Sequence, residues 1–335
     1  MATAPLPPVE QVRPGVWSVP VPMPDSPLRY VLVYAFETDG GLYLVDAGWN
    51  TDEAFDALAA GLTSLGASMG HVRGVMITHI HPDHYGLAGR VREASGAWVA
   101  LHPADAALIP ERYEQPEELC TRMAATLTRW GAPAEELEGL ATASMAIIGL
   151  VSLVKPDVLL EDGDKPPVPG WDVSAIWTPG HTPGHLAFWE AGHRLMLTGD
   201  HVLPRITPNI GLYPHSGDDP LGDFLRSLEK LASYDAGEVL PAHEHRFVGL
   251  PGRLDELREH HEHRFTEVIE SVAAGRDTPW QVAGGMKWSR SWDSISGFMR
   301  RAAVGEAMAH IRALERRGLL REIPGEPVRY ELAAA

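Results

Sequence analysis

Thr78–His84 reads THIHPDH, so three imidazoles and a carboxylate fall within six consecutive residues, directly after the apolar run Gly74–Ile77. Neutral imidazole nitrogen and carboxylate oxygen are the ligands that borderline ions such as zinc accept. Where a strand runs out into an extended or tightly turned loop, side chains two apart point the same way. His79 and His81 can then grip one ion while Asp83 and His84 reach another, and the stretch reads as half of a two-metal site. A single loop histidine is ordinarily a surface or hydrogen-bonded residue; three beside an aspartate ask for a chemical explanation.

The elements that must position this stretch are legible on both sides of it. Arg29–Phe36 and Leu42–Val45 are β-rich runs separated by Thr38-Asp39-Gly40-Gly41, a hairpin signal, and the second ends in Asp46-Ala47-Gly48. Asp46 either supports a ligand from behind or caps the turn. Asp52–Leu65 has helical periodicity with a Gly66 stop, Val72–Ile77 returns as a strand into the histidines, Tyr85–Ala94 follows as a helix and Trp98–Leu101 as another strand. Residues 103–155 interrupt this α/β rhythm as a helical insertion, with helices expected at Gln115–Trp130 and Pro133–Val154. The second carries Met145, Ile147, Ile148, Leu150, Val151 and Leu153, and reads equally as a pocket wall or as plain packing. If it lines the pocket, the substrate has an apolar part.

Further on, strands Val158–Leu160 and Trp171–Trp177 precede Thr178–His185, TPGHTPGH. A hairpin of Leu186–Trp189 and Leu195–Leu197 ends in Thr198-Gly-Asp-His201; Pro220–Tyr234 is an amphipathic helix, and strand Glu238–Leu240 closes in Pro241-Ala-His-Glu-His245. Strands thus end in His79 to His84, His181, Asp200 and His243, and parallel strand ends of one sheet converge on one edge.

Composition narrows the partners. The 335 residues carry 28 Lys and Arg against 45 Asp and Glu, a formal charge of −17, which disfavours loose binding to polyanions. A metal centre could invert that field locally. Cys120 is the single cysteine, so intrachain disulfides and thiolate clusters are excluded, and it reads as a small apolar side chain on a helix. Residues 1–15 are Pro-rich and expected to be disordered; Met1–Pro14 has neither the basic start nor the apolar core of a secretory signal. No stretch approaches the ~20 apolar residues that span a bilayer. The expectation is a soluble cytoplasmic protein with no membrane partner.

The HxHxDH, PGHTPGH and TGD elements and the terminal histidine, in this order over roughly Val16–Leu250, resemble the metallo-β-lactamase-fold hydrolase superfamily. The resemblance implies an α/β fold, a four-layer αββα sandwich over residues 16–270 with the metals at one edge between two sheets. It implies that His79, His81 and His181 hold a first metal, that Asp83, His84 and His243 hold a second, and that Asp200 bridges them. Two Zn2+ are the expected cofactors, and iron or manganese would accept the same ligands. Two such cations about 3.5–4 Å apart turn a shared water into hydroxide near neutral pH. Asp83 is the candidate to orient it and shuttle its proton. His185 falls where the family has a supporting histidine. His201 and His245 flank ligands and either touch substrate or are ordinary loop residues; His260, His261 and His263, in the charged helical run Asp255–Glu267, read as a solvated face.

A bridging Asp200 resembles thioesterases of the hydroxyacylglutathione hydrolase kind, lactonases and nucleases of the superfamily, whereas β-lactamases of the fold usually carry Cys or Ser there. Residues 271–335, with a helix at Ala302–Arg317 and strands at Leu319–Glu322 and Val328–Leu332, resemble the winged-helix appendage of a branch that includes an endoribonuclease and related thioesterases. Arg300, Arg301, Arg312, Arg316, Arg317 and Arg321 there are either RNA contacts or solvated helix faces paired with carboxylates, and neither interleaved aromatics nor the overall charge supports the former. The reading is a dinuclear hydrolase of a thioester or lactone, with a metal-dependent endoribonuclease or phosphodiesterase as the alternative and β-lactamase or iron dioxygenase behind it. The expected partner is a small molecule with an apolar part, not nucleic acid; a second copy could cover the insertion or the tail.

Overall fold

A computed structural model describes residues 5–23 and 25–334. Among them, β1 (Glu10–Arg13), β2 (Val16–Pro22), β3 (Tyr30–Thr38), β4 (Gly41–Val45), β5 (Val72–Met76), β6 (Trp98–Leu101) and β7 (Val158–Leu159) lie in that order in one sheet. Its first four strands are antiparallel and β4 to β7 are parallel. A second sheet has the order β11 (Glu238–Pro241), β10 (Leu195–Gly199), β9 (Leu186–Glu190), β8 (Val173–Trp177). Here β10 and β11 are parallel, and the antiparallel β9 between β10 and β8 leaves β8, β10 and β11 all running the same way.

The layers follow from period-two alternation along the strands. In β3, Val31, Val33 and Ala35 join the cluster under helix Asp52–Ser64, while Leu32, Tyr34 and Phe36 meet Leu186, Phe188, Leu197 and Leu240 of the other sheet. The second sheet turns Ile176, Met196 and Val239 outward against helices Pro220–Leu231, Leu250–Ala273 and Gly297–Arg316. Helix, sheet, sheet, helix is the result, an αββα sandwich with its deepest apolar layer between the sheets.

The structure departs from the sequence reading in several places. The start is not disordered through residue 15: Glu10–Arg13 pairs with β2, and Val12 is buried in the layer between the sheets; residues 1–4 lie outside the described ones. Pro133–Val154 is not one helix but two short turns, Leu137–Ala141 and Met145–Ile148, followed by an irregular segment. Tertiary partners take the backbone over there: Leu150 O accepts Asn50 N–H (2.9 Å), Ser152 N–H donates to Gly86 O (2.7 Å) and Val154 N–H to Tyr85 Oη (3.0 Å). The helical run Asp255–Glu267 is not a solvated face throughout, because the C-terminal helix covers His261 and Arg264, 2% and 6% exposed.

Helix Gly297–Arg316 and the hairpin β12 (Leu320–Ile323) and β13 (Arg329–Leu332) share one apolar cluster with the outer face of the second sheet, Val304 and Ile311 alongside Met196, Leu228 and Leu254. No helix of the described residues is long and apolar enough to cross a membrane.

Candidate metal centre

Contrary to the expectation of a single sheet, the strand ends that carry the motifs belong to two. Those of β4 and β5 belong to the first sheet and those of β8, β10 and β11 to the second, and they meet because the two sheets stack with their C-terminal edges on the same side. Ile80 is buried in the apolar cluster beneath the first sheet, while His79 and His81 on either side of it turn towards one another and His181. His81 is then the N-cap of a single helical turn, Pro82–Tyr85, with Pro82 pre-set for the first position. This change from extended chain to helix swings Asp83 and His84 to a different side from His79 and His81.

Two groups result. His79, His81 and His181 form one, and Asp83, His84, Asp200 and His243 the other, with ligand atoms inside each within 4.8 Å of one another. In the first, His81 Nδ1 lies 2.9 Å from His79 Nε2 and 3.0 Å from His181 Nε2. Nitrogens bound tetrahedrally at about 2.0–2.1 Å from zinc are roughly 3.3 Å apart, so the spacing fits an ion at their centre. In the second, Asp200 Oδ1 lies 3.2 Å from His243 Nε2 and 3.4 Å from His84 Nε2, and Asp83 Oδ2 lies 3.2 and 3.5 Å from the same atoms. Asp200 Oδ2 meanwhile faces His181 Nε2 at 3.6 Å. One carboxylate therefore looks into both groups.

The donor chemistry fits cations. His84 Nε2, His243 Nε2 and Asp200 Oδ1 are buried without a hydrogen-bond partner, an expensive arrangement unless something binds their lone pairs. The opposite ring nitrogens are fixed. His84 Nδ1 donates to Asp46 Oδ2 at 2.7 Å, His243 Nδ1 to Tyr30 O at 3.0 Å and His181 Nδ1 to Asn209 O at 3.1 Å, which leaves each Nε2 as the acceptor aimed into the site. Burial, then the neighbouring imidazoles, hold His79 below its ordinary pKa, and burial does the same for His81 and His181, so the first group is neutral and ready to ligate. Burial also pulls on His84 and His243, yet Asp83 and Asp46 with Asp200 outweigh it for the one and Asp200 with Asp83 for the other, raising both, His243 to about 10. The carboxylates thus favour positive charge at the second group, which a bound cation would supply.

Asp46 follows β4 with φ 65°, a left-handed conformation that Asp tolerates better than most side chains, and it accepts Thr78 N–H (2.8 Å) and Thr78 Oγ1–H (2.9 Å) besides His84. His185 accepts the Asp200 N–H at Nε2 (3.3 Å) and meets Thr178 Oγ1 at Nδ1 (2.8 Å), holding the backbone that carries Asp200. His201 is neither substrate-facing nor a solvated loop residue. It is fully buried, its ring centroid 4.5 Å from that of Phe224, because the chain after Asp200 dives under helix Pro220–Leu231 with Val202 and Leu203. His245 is exposed. Of the histidines in the charged helix, His263 is exposed and His261 is buried against His310, Nδ1 to Nε2 3.0 Å.

Residues that the sequence reading passed over hold the two loops in register. Asp105, fully buried after β6, accepts Ile80 N–H (2.9 Å), Thr182 Oγ1–H (2.8 Å) and Gly184 N–H (2.6 Å). Its signal was available: His102-Pro-Ala-Asp105 is one more polar cluster at the end of a parallel strand. Tyr113 Oη donates to Ile80 O at 2.6 Å. Asn209, whose carbonyl orients His181, gives its side-chain N–H to Glu306 Oε2 (3.3 Å), and Glu306 Oε1 accepts from Arg264 (3.1 Å). Leu212 N–H donates to Gly305 O (3.0 Å), so this loop is tied to the C-terminal helix twice.

Comparison with known proteins agrees with this geometry. The sequence profile of the Metallo-beta-lactamase superfamily matches residues 26–243. The chain is 27% identical to the probable metallo-hydrolase YqjP of Bacillus subtilis over 273 residues, 80% of this chain and 83% of that one. It is 24% identical to the lactamase-like protein adaB of Aspergillus niger over 286 residues, 84% and 71% of the two. Among solved structures, a metallo-beta-lactamase family protein from Thermus thermophilus superposes with a TM-score of 0.83 at 31% identity, covering 96% of this chain and all (100%) of that one. A beta-lactamase domain protein from Burkholderia ambifaria gives 0.80 at 25%, covering 97% and 93%.

Proposed function

Because this chain belongs to the metallo-beta-lactamase superfamily, we propose that it is a dinuclear metal-dependent hydrolase of a small ester-like bond, a thioester or a lactone. The observation that carries this is Asp200, whose two oxygens face the two ligand groups separately. In our reading His79, His81 and His181 hold one ion, Asp83, His84 and His243 the other, and Asp200 both, with zinc the expected metal. Bound there, the ions would supply Lewis acidity and ionise water near neutral pH.

The chain's own groups do the rest. Nδ1 of His84, His181 and His243 is committed to Asp46, Asn209 O and Tyr30 O, so these rings cannot swing when substrate enters. Without metal, burial works to raise the Asp83 carboxyl but His84 and His243 outweigh it and hold it well below the usual carboxylate range; a cation held there would favour the same ionised form. An ionised Asp83 beside the shared face accepts a proton from the attacking water and returns it to the leaving group.

The arginines of the C-terminal region favour the ester reading over the nuclease alternative. Arg300 pairs with Glu136, Arg312 with Glu315, Arg317 with Glu262 and Arg321 with Glu331, and Arg301 is buried on the carbonyls of Leu140 and Ala141, so five of the six are engaged within the chain and do not form a bare strip for a phosphate backbone. The hydroxyacylglutathione hydrolase-like branch and a winged-helix appendage remain our reading of Asp200 and of the helix–hairpin ending.

Metal analysis together with a panel of thioesters, lactones, phosphodiesters and short RNAs tests the proposal. We expect two metal equivalents, turnover of a thioester or lactone, and loss of metal and activity together in His81→Ala. An active, metal-free His81→Ala protein would refute it, and turnover confined to RNA would transfer the site to the alternative.

A further inference from the structure

The chain between Asp200 and Asn209 joins the carboxylate that faces both ligand groups to the carbonyl that orients His181 (3.1 Å). Residues 202–209 form neither helix nor strand, so their backbone polar groups have to be met from outside the segment. Val202 O accepts Thr198 Oγ1–H at 2.8 Å, and Arg253 donates from Nε to Leu203 O (2.7 Å) and from Nη2 to Ile206 O (2.8 Å). The N–H groups of Arg205 and Ile206 both go to Glu244 Oε2, at 3.1 and 3.3 Å, while Glu244 Oε1 accepts Arg205 Nε–H at 3.1 Å. Beyond Ile206 only Thr207 and Pro208 separate this grip from Asn209, and the ring of Pro208 fixes its φ.

Glu244 is an unusual residue for the place it holds. It follows His243, a candidate ligand of the second group, with φ 68°, a left-handed conformation that Gly, Asn and Asp adopt far more readily than Glu. Such a residue persists only where its surroundings over-determine it. Here Tyr30 grips the His243–Glu244 unit twice, its carbonyl accepting His243 Nδ1–H (3.0 Å) and its hydroxyl donating to Glu244 O (2.6 Å). Consecutive side chains are thereby sent to different places. His243 enters the second ligand group, and Glu244, 15% exposed, reaches the loop that orients His181 of the first.

We propose that Glu244 is a positioning residue for the candidate metal centre: it follows a ligand of one group yet, through residues 205–209, sets the imidazole of His181 in the other. The turn by itself does not call for Glu, since glycine would occupy it without strain. What the carboxylate adds is its three bonds to Arg205 and Ile206, which hold the loop in the one place where Asn209 O meets His181 Nδ1. This role presupposes the two-metal reading and deepens it: the two ion positions are linked by Glu244 from behind as well as by Asp200 from within.

Glu244→Gly separates the carboxylate from the turn, because glycine suits the left-handed backbone while offering no acceptor. Chelator competition of the zinc-loaded protein measures the ion affinities, and 15N spectra of the histidine rings along the titration assign each step to a ligand group. In Glu244→Gly the affinity of the group that contains His181 is expected to fall about tenfold, that of the group containing His84 and His243 to stay, and the His181 ring of the zinc-free protein to lose its fixed Nδ1–H form. Glu244→Gln, which keeps an oxygen for the two backbone N–H groups, is expected to recover most of the loss. Thermal unfolding of each variant checks that it is folded. A loss confined to the His243 group, or no change at His181 in Glu244→Gly, overturns the proposal and leaves Glu244 serving its neighbour or the turn alone. The expected zinc pattern in a protein that cleaves none of the esters sinks the hydrolase reading and leaves Glu244 in its role. A parent protein that binds no zinc sinks the two-metal reading, and the His181 ring of the zinc-free variants still decides whether Glu244 sets it.

Discussion

Asp105 accepts the hydroxyl of Thr182 at 2.8 Å with the same oxygen that accepts Ile80 N–H at 2.9 Å, so one carboxylate joins the loop between His79 and His81 to the residue after His181. Asp105→Ala leaves these donors and Gly184 N–H buried and unsatisfied. We expect a loss of about 3 kcal/mol or more of stability, with the first ligand group weakened before the second. Urea unfolding and metal stoichiometry under chelator competition measure the two effects; an unchanged order of metal loss would show that the loops need no such tie.

Asp46 fixes the Nδ1–H of His84 and sits in a left-handed backbone conformation. Asp46→Asn keeps an acceptor and suits that conformation, so a mild effect is expected. Asp46→Ala removes both, and affinity at the second ligand group should fall about 10- to 100-fold. Competitive zinc titration separates these outcomes; equal affinity in both variants would mean that Thr78 and packing hold His84 unaided.

Gly86 closes the turn after the histidine motif where a Cβ would lie 2.5 Å from Leu150 O and 2.7 Å from Gly48 O, both backbone atoms that no rotamer change can move. Gly86→Ala is therefore expected to cost about 3 kcal/mol and to loosen residues 149–154. Hydrogen exchange at Ser152, whose N–H donates to Gly86 O, reports the loosening directly.

His310 is fully buried, and burial holds its pKa down to about 3 from an ordinary 6.5. Between these values the unfolded chain binds more protons than the folded one, so stability falls as pH drops from 6.5 towards 3. The loss from this group is about 2–3 kcal/mol between pH 6.5 and 4.5. His310→Gln, with no titrating ring, should flatten that slope in urea melts recorded across the range. A slope equal to that of the parent protein would assign the acid sensitivity elsewhere.

That the candidate ligands would gather into two groups was legible in the sequence because local geometry places them. Residues two apart in extended chain share a side, a proline begins a helical turn, and His181, Asp200 and His243 each follow a strand. What was not legible depends on contacts far along the chain. Asp105 stands in a proline-led helical turn where an acid near the N-terminus is unremarkable, and only the fold brings Thr182 to it. His261 looked solvated amid Glu and Arg, although Leu250, Leu254, Leu257, His261, Phe265, Val268 and Val272 recur at helical spacing and form one buried stripe. Apolar periodicity over Pro133–Val154 misled in the opposite sense, since from Leu150 O onward the backbone bonds to Asn50, Gly86 and Tyr85 instead of to its own preceding turn.

The link from His181 through Asn209 to Glu306 crosses the boundary at which the superfamily match stops, residue 243. A fragment trimmed to the matched portion would retain every proposed ligand, yet the loop of Asn209 that orients its third imidazole would have lost its tie to Glu306. Engineering that grafts or shortens this protein has to carry the C-terminal helix along, since the helix braces a candidate ligand that it does not itself supply.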